Sequence, residues 1–249
     1  MKMMGVKIDK VDGKDIPSVI FDHLHRNEQI TIFNVNTHAM NIAYHDEEFR
    51  AAINQADLIF SDGFGVNLAA KILGVQIGGR ATYADSIDDI LSFCAQNSKR
   101  VYVLGDVEEL LDVFVDKAIK RHPKLVFAGT HHGFFAKTGP ESDTVVEHIN
   151  NSGADVLMLA MSMPIQEKWC HANKQKLGPT VMMSIGGLPR IYVGWIARGP
   201  AWMTNNGLEW FYRLMVQREK VFKRYVLGNP LFLFRAFLTK LGLIKFPPN

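Results

Sequence analysis

Two cysteines, Cys94 and Cys170, are all that 249 residues contain. That is too few for a disulfide framework or a zinc site, and it suits buried thiols of a reduced, cytoplasmic protein. Asp-x-Asp, the usual metal–diphosphate clamp, occurs nowhere. His131 and His132 are adjacent, with no carboxylate or cysteine at ligand spacing, so no metal site is expected. The stretch "MKMMGVKIDKVDG" lacks an apolar h-region, and no cleaved signal peptide is expected. Internal repeats and low-complexity linkers are missing too. From residue 207 onward the longest uncharged run is "YVLGNPLFLF", interrupted by Gly228-Asn229-Pro230. A spanning helix needs about 20 apolar residues, so this run does not span.

What is present is apolar bulk: 47% of residues are hydrophobic, enough for one large domain with a small appendage. The formal charge of +3 is unevenly spread. Residues 1–195 carry 19 Lys/Arg against 23 Asp/Glu, a net of −4. Residues 196–249 carry nine Lys/Arg against Glu209 and Glu219, a net of +7. Basic tails of this kind meet polyanions. This tail is as hydrophobic as it is charged, which favours an anionic membrane surface over nucleic acid. The other reading is a helix pair docked on the body or on a second copy.

Short apolar runs alternate with helical patterns. Strands are expected at "QITIFNVN" (29–36), "DLIF" (57–60), "RVYVLG" (100–105), "KLVFAG" (124–129), "ADVLMLA" (154–160) and "TVMMSIGG" (180–187). One helix is expected over "AMNIAYHDEEFRAAINQA", with others at "GVNLAAKIL", "ADSIDDILSFCAQN", "VEELLDVFVDKAIKRH", "ESDTVVEHINN" and "PIQEKWCHANKQK". The strands are near-continuous apolar runs, the pattern of a parallel sheet covered on both faces. The alternation predicts a doubly wound, Rossmann-like α/β domain over 1–195 and an appendage over 196–249. Ligands of such sheets bind beyond the carboxyl ends of the strands, so residues just after strands are the site candidates.

In "SDGFGVNLAAKILG", Gly63 and Gly65 let backbone approach a phosphate at a helix start. Leu68 stands where the dinucleotide fingerprint wants a third glycine. Asp62 fits three roles: a helix cap worth ~1 kcal/mol, a ribose contact or a catalytic base. Arg80, in "GGRATYAD", is placed to fork onto a diphosphate, and Asp85 reads as a helix N-cap. In "MSMPIQEKW", Pro164 suits a first helical turn, with Gln166 and Glu167 beside the ligand edge and Trp169 in the core.

Taken in order, "NVNTH", "ADLIFSDGFGVNLAAKILG", "GRATYAD", "MSMPIQEKW", "SIGGL" and "GLEWFYRL…RYVLGNP" resemble the WecG/TagA/CpsF family of bacterial glycosyltransferases over roughly residues 5–235. The resemblance implies an inverting transfer from a UDP-sugar to a polyprenyl-diphosphate-linked saccharide, with no metal or other cofactor. The sugar would be N-acetylmannosamine, its uronic acid or glucose, for wall teichoic acid, common antigen or exopolysaccharide. It implies Asp62 as base. It implies substrate contacts from Asn34, Asn36, Thr37, Gly63, Gly65, Arg80, Asp85, Gln166, Glu167 and Gly186, and from Arg213, Arg218 and Arg224 of the appendage. It places the protein in the cytoplasm, peripheral on the inner face of the membrane, where the apolar tail invites homo-oligomers. Three positions depart from the family pattern: Asn34-Val35-Asn36 for Thr-x-Asn, Ile165 for a lysine, and Pro189-Arg190 for Phe-Asp. Those departures leave open a UDP-sugar-binding subunit of an assembly complex. Gly63, Gly65 and Asp85 leave open an NAD-type oxidoreductase.

Overall fold

The computed structural model describes residues 1–244 and 246, and the side chains of Ala201, Asn205, Arg218 and Lys220 lie outside the described residues. A two-stranded hairpin, β1 (Lys2–Met3) and β2 (Val6–Lys7), precedes α1 (Ile16–Arg26). Then come β3 (Ile30–Val35), α2 (Thr37–His45), α3 (Glu47–Asn54), β4 (Leu58–Ser61), α4 (Phe64–Leu73) and α5 (Tyr83–Gln96). These are followed by β5 (Arg100–Gly105), α6 (Glu108–Arg121), β6 (Val126–His131), α7 (Pro140–Asn151), β7 (Val156–Ala160), α8 (Ile165–Asn173), β8 (Val181–Ser184) and α9 (Leu188–Val193). The C-terminal helices are α10 (Ala201–Asn205), α11 (Glu209–Val216), α12 (Arg218–Phe222), a π-helical turn (Lys223–Leu227) and α13 (Gly228–Lys240).

The main sheet has six strands in the order β4-β3-β8-β7-β5-β6. Every pairing is parallel. This is the doubly wound architecture that the apolar strands predict. Strands β7 and β8 are buried at every position, because helices cover both faces. One face packs α1, α5, α6 and α9 around Ile20, Ile90, Phe114 and Leu188. The other packs α2, α3, α4, α7, α8 and α13 around Phe49, Val66, Ile149, Trp169 and Phe232.

The long helix expected across residues 39–56 is two helices. Asp46 leaves helical geometry (φ −106°, ψ 99°) and its side chain accepts from the Phe49 amide, capping α3. A short acid that can bond the backbone favours a cap over a helix interior. Trp169 is core, as expected, with Nε1 donating to Ser142 Oγ at 2.8 Å.

The last helix belongs to the body's packing. Phe232 and Ala236 of α13 are fully buried against α2 and α4. Asn41 donates to the Gly228 carbonyl at 2.8 Å and accepts from Arg235 at 2.8 Å. The Arg235 guanidinium also lies 3.9 Å over the Tyr44 ring. Burying the cation is offset by these partners.

Candidate active site

A cleft of about 1200 Å³ runs along the carboxyl ends of the strands, roofed by α11 and the turn after it. Asp62 and Asp106, at the ends of β4 and β5, lie four strand spacings apart, or about 19 Å at ~4.8 Å per strand.

The turn after β4 is built for a carboxylate on a hinge. The Asp62 amide donates to the Val35 carbonyl, continuing the sheet by one residue. Gly63 then takes φ 107°, open only to glycine, and is itself the N-cap of α4. Asp62 therefore does not cap the helix. Its carboxylate accepts from Asn34 Nδ2 at 2.8 Å, and Asn34 Oδ1 accepts from Ser184 Oγ at 3.2 Å. A Cβ at Gly65 would collide with Thr37 Cγ2, so α2 and α4 start side by side against the cleft. Burial, followed by the Glu209 charge, pushes the Asp62 carboxyl up to about 6, against the pull of Arg80, Asn34 and Arg213.

Two arginines and one glutamate face Asp62 across the cleft. Arg80 Nη2 lies 3.4 Å from Glu209 Oε2, and Arg213 Nη2 lies 3.2 Å from Glu209 Oε1. Arg80 Nη1 also donates to the Thr204 carbonyl at 3.0 Å. The body's arginine is thus tied to the C-terminal helices, which deliver Arg213 and Arg224 to the cleft. The Nε atoms of Arg213 and Arg224 are buried without a hydrogen-bond partner. His38 also lines the cleft; burial and then Arg224 hold its imidazole down at about 4, so it is neutral at physiological pH.

With that geometry in view, the whole chain can be set beside known proteins. Residues 1–245 match the description of the glycosyl transferase WecG/TagA/CpsF family. The chain belongs to that family. An N-acetylglucosaminyldiphosphoundecaprenol N-acetyl-beta-D-mannosaminyltransferase of Staphylococcus aureus (strain NCTC 8325 / PS 47) is 28% identical over 214 residues, covering 86% of this chain and 82% of the relative. The protein of the same description from strain MRSA252 is 27% identical over the same shares. The protein is a glycosyltransferase, which sets aside the oxidoreductase reading of Gly63, Gly65 and Asp85.

The cleft of this glycosyltransferase gathers Asn34, Asn36, Thr37, Asp62, Gly63, Gly65, Arg80, Gln166, Gly186, Arg213 and Arg224 from sites up to 190 positions apart in sequence. Several already have structural duties. Asn36 Oδ1 caps α2, accepting from the His38 and Ala39 amides. Thr37 Oγ1 donates to Asn229 Oδ1 at 2.6 Å, tying the site to the start of α13.

Two expected members do not line the cleft. Asp85 is not the N-cap of α5; Thr82 is, accepting from the Ala84 amide. The Asp85 carboxylate instead accepts from Arg198 at 2.6 Å at the surface. Glu167 is fully buried behind Gln166. The side chain of Arg218 lies outside the described residues.

Sequence reasoning missed two contributors, Glu209 and Asn229; His38 and Asp106 fell within its strand-end candidates, without a role assigned to either. Glu209 had one available signal, its i,i+4 spacing to Arg213. Asp106 sits at a left-handed φ of 56° and is clamped by Arg190 through Nε (2.7 Å) and Nη2 (2.5 Å). That clamp gives Arg190 of the divergent Pro189-Arg190 pair, which follows β8, a partner at the end of β5, two strands along the sheet.

Proposed function

We propose that this glycosyltransferase moves a hexose or N-acetylhexosamine from a UDP-sugar to a polyprenyl-diphosphate-linked saccharide, with inversion and without a metal ion. The observation that carries the reading is Asp62. It is a carboxylate at a strand's carboxyl end, raised to about 6, beside two arginines and two helix starts. A base with that proton affinity is ionised at pH 7 yet accepts a proton more readily than an ordinary aspartate. Asp62 takes the proton of the acceptor hydroxyl as its oxygen attacks the anomeric carbon, and UDP leaves from the opposite face. Arg80, Arg213 and Arg224 offset the charge growing on the leaving diphosphate. The strand ends that carry Asp62 and Asp106, about 19 Å apart by strand spacing, both line the cleft, a span that suits an extended nucleotide sugar.

The relatives' description supports N-acetylmannosamine as the sugar and a diphosphoundecaprenol-linked N-acetylglucosamine as the acceptor. A lipid acceptor requires a membrane surface. Among the described residues no helix is long and apolar enough to cross one. The C-terminal helices expose Trp202, Trp210, Phe234 and Phe237 among basic residues, a composition for lying on an anionic bilayer. The inner, cytoplasmic face of the membrane, where nucleotide sugars are available, is the proposed location, and self-association through the same surface is part of the proposal.

The test is UDP release. Purified protein is incubated with a panel of UDP-sugars and a short-chain polyprenyl-diphosphate-linked N-acetylglucosamine, with and without EDTA. Acceptor-dependent release with one donor, surviving EDTA, is the expected result. UDP binding with no release from any donor would replace this reading with that of a binding subunit.

A further inference from the structure

Glu167 is a buried acid with no role in the chemistry just described. It sits in the first turn of α8 at 0% exposure, next to Gln166 at 1%. Gln166 lines the cleft; Glu167 does not. The Gln166 Nε2 amide donates to Glu167 Oε1 at 2.7 Å. The remaining oxygen of each side chain, Gln166 Oε1 and Glu167 Oε2, is buried with no hydrogen-bond partner.

Among the described residues, no cation neutralises this acid. The charged groups on the neighbouring elements are committed elsewhere. Lys168 pairs with Asp46 and Glu48, Arg50 with Glu47, and Lys174 with Asp57. The Cys170 thiol, one turn along α8, is the titratable neighbour that senses Glu167. Burial pushes Glu167 up to about 7. An uncompensated buried carboxyl and two orphan acceptors are costly, and such costs are retained where a site needs a side chain held in one orientation.

A side-chain amide in a cleft wall can present either its carbonyl or its NH2 to a ligand, and a rotation about one bond exchanges them. We infer that Glu167 is a positioning residue: by engaging Nε2 it fixes the Gln166 amide in one flip, so that the carbonyl oxygen, covered and unpartnered in the free protein, is the group that meets a hydrogen-bond donor of the transferred sugar when the sugar enters the cleft. That donor is a hydroxyl or an acetamido N–H. The inference rests on the UDP-sugar reading of the cleft and deepens it.

The experiment separates sugar recognition from nucleotide recognition. Calorimetry measures binding of UDP, UDP-glucose and UDP-N-acetylglucosamine to the full chain and to Glu167→Leu, Glu167→Gln, Gln166→Leu and the Glu167→Leu/Gln166→Leu pair. The quantity read is the affinity gained by adding the sugar to UDP. Glu167→Leu is expected to cut that gain by roughly tenfold, the size of one hydrogen bond to a buried group, with UDP itself unchanged. Glu167→Gln, which still offers an acceptor to Nε2, is expected to keep the gain. In the Gln166→Leu background, replacing Glu167 is expected to change nothing further. Loss with UDP-N-acetylglucosamine alone assigns the donor to the acetamido group, and loss with both sugars assigns it to a hydroxyl. Should Glu167→Leu fail to fold, Glu167→Asp carries the same test, because its shorter arm withdraws the carboxylate from Nε2. Additive effects in the double variant, or equal weakening of UDP and UDP-sugar, would overturn the inference. Failure of the wild-type chain to bind any of the three ligands would instead reject the UDP-sugar reading on which it rests.

Discussion

Asn34 donates its side-chain amide to the Asp62 carboxylate at 2.8 Å, joining the ends of β3 and β4 in the wall of the cleft. Ser184 of β8 extends the same line through Asn34 Oδ1. Three adjacent strand ends thus hold one carboxylate in place, and preorganisation of this kind is what a base needs before its substrate arrives.

Removal of the base is the most direct check. Asp62→Asn preserves shape and can still accept from Asn34, so UDP-sugar binding is expected to survive. Turnover is expected to fall by about 10²–10⁴, the usual worth of a positioned general base. Steady-state UDP release and calorimetry on one preparation measure both.

The pH profile has a sign that each neighbour moves in its own direction. With Asp62 at about 6, kcat/KM is expected to rise as pH increases through that value. Asn34 stabilises the charged form, so Asn34→Ala is expected to move the rise to higher pH. The Glu209 charge disfavours the charged form, so Glu209→Gln is expected to move it to lower pH. Movement in the same direction for both variants would contradict this electrostatic account.

Stability should respond at the same residue with a different dependence. The folded carboxyl of Asp62 is raised from 3.8 to about 6. Folding therefore gives up stability as pH climbs between those values and holds the loss above them. Asp62→Asn escapes this loss. It is expected to be more stable than the wild type at pH 8 by on the order of 1–2 kcal/mol, after allowance for solvent at the cleft. The difference should vanish near pH 4. Thermal melts at the two pH values decide it.

The C-terminal helices should resist simple removal. Phe232 is fully buried between α2 and α4, so cutting the chain after residue 195 would open the body's own core. Phe232→Ala is expected to cost about 3–5 kcal/mol, read as a lower denaturant midpoint with loosened protection of α2.

Surface substitutions offer a cleaner test of lipid contact than truncation does. Phe234 and Phe237 point outward from α13, 58% and 51% exposed, while Phe232 and Ala236 point inward. Phe234→Ser with Phe237→Ser is expected to reduce co-sedimentation with anionic vesicles several-fold, leaving the melting temperature near that of the wild type.

The layers of this fold were legible because continuous apolar runs and helical periodicity are local signals. "RVYVLG" is β5 to the residue, whereas "KLVFAG" begins two residues before β6, where the chain is still turning. The hairpin of β1 and β2 and the six-residue α9 went unread because short elements carry little periodicity; α1 went unread although Ile16, Ile20 and Leu24 recur at helical spacing. Strand order was illegible, since pairing Ile30 with Val181 is decided by packing across 151 positions. In the site, Asp62 and Arg80 could be picked out beside their glycines. The role of Glu209 could not, because its meaning comes from Arg80, which is 129 positions away. Asp85 misled for a local reason: three residues earlier, Thr82 already supplies the cap.

The crowding of Gly65 against Thr37 has an electrical consequence. Where two helices begin within touching distance, their peptide dipoles add, and each contributes roughly half a positive charge at its first turn. No proton is bound or released in making that field. Acidification through pH 6 would switch off the aspartate beside it, yet leave this backbone-made attraction for anions as it was. An enzyme arranged in this way would keep its grip on a diphosphate under conditions in which it has stopped turning over.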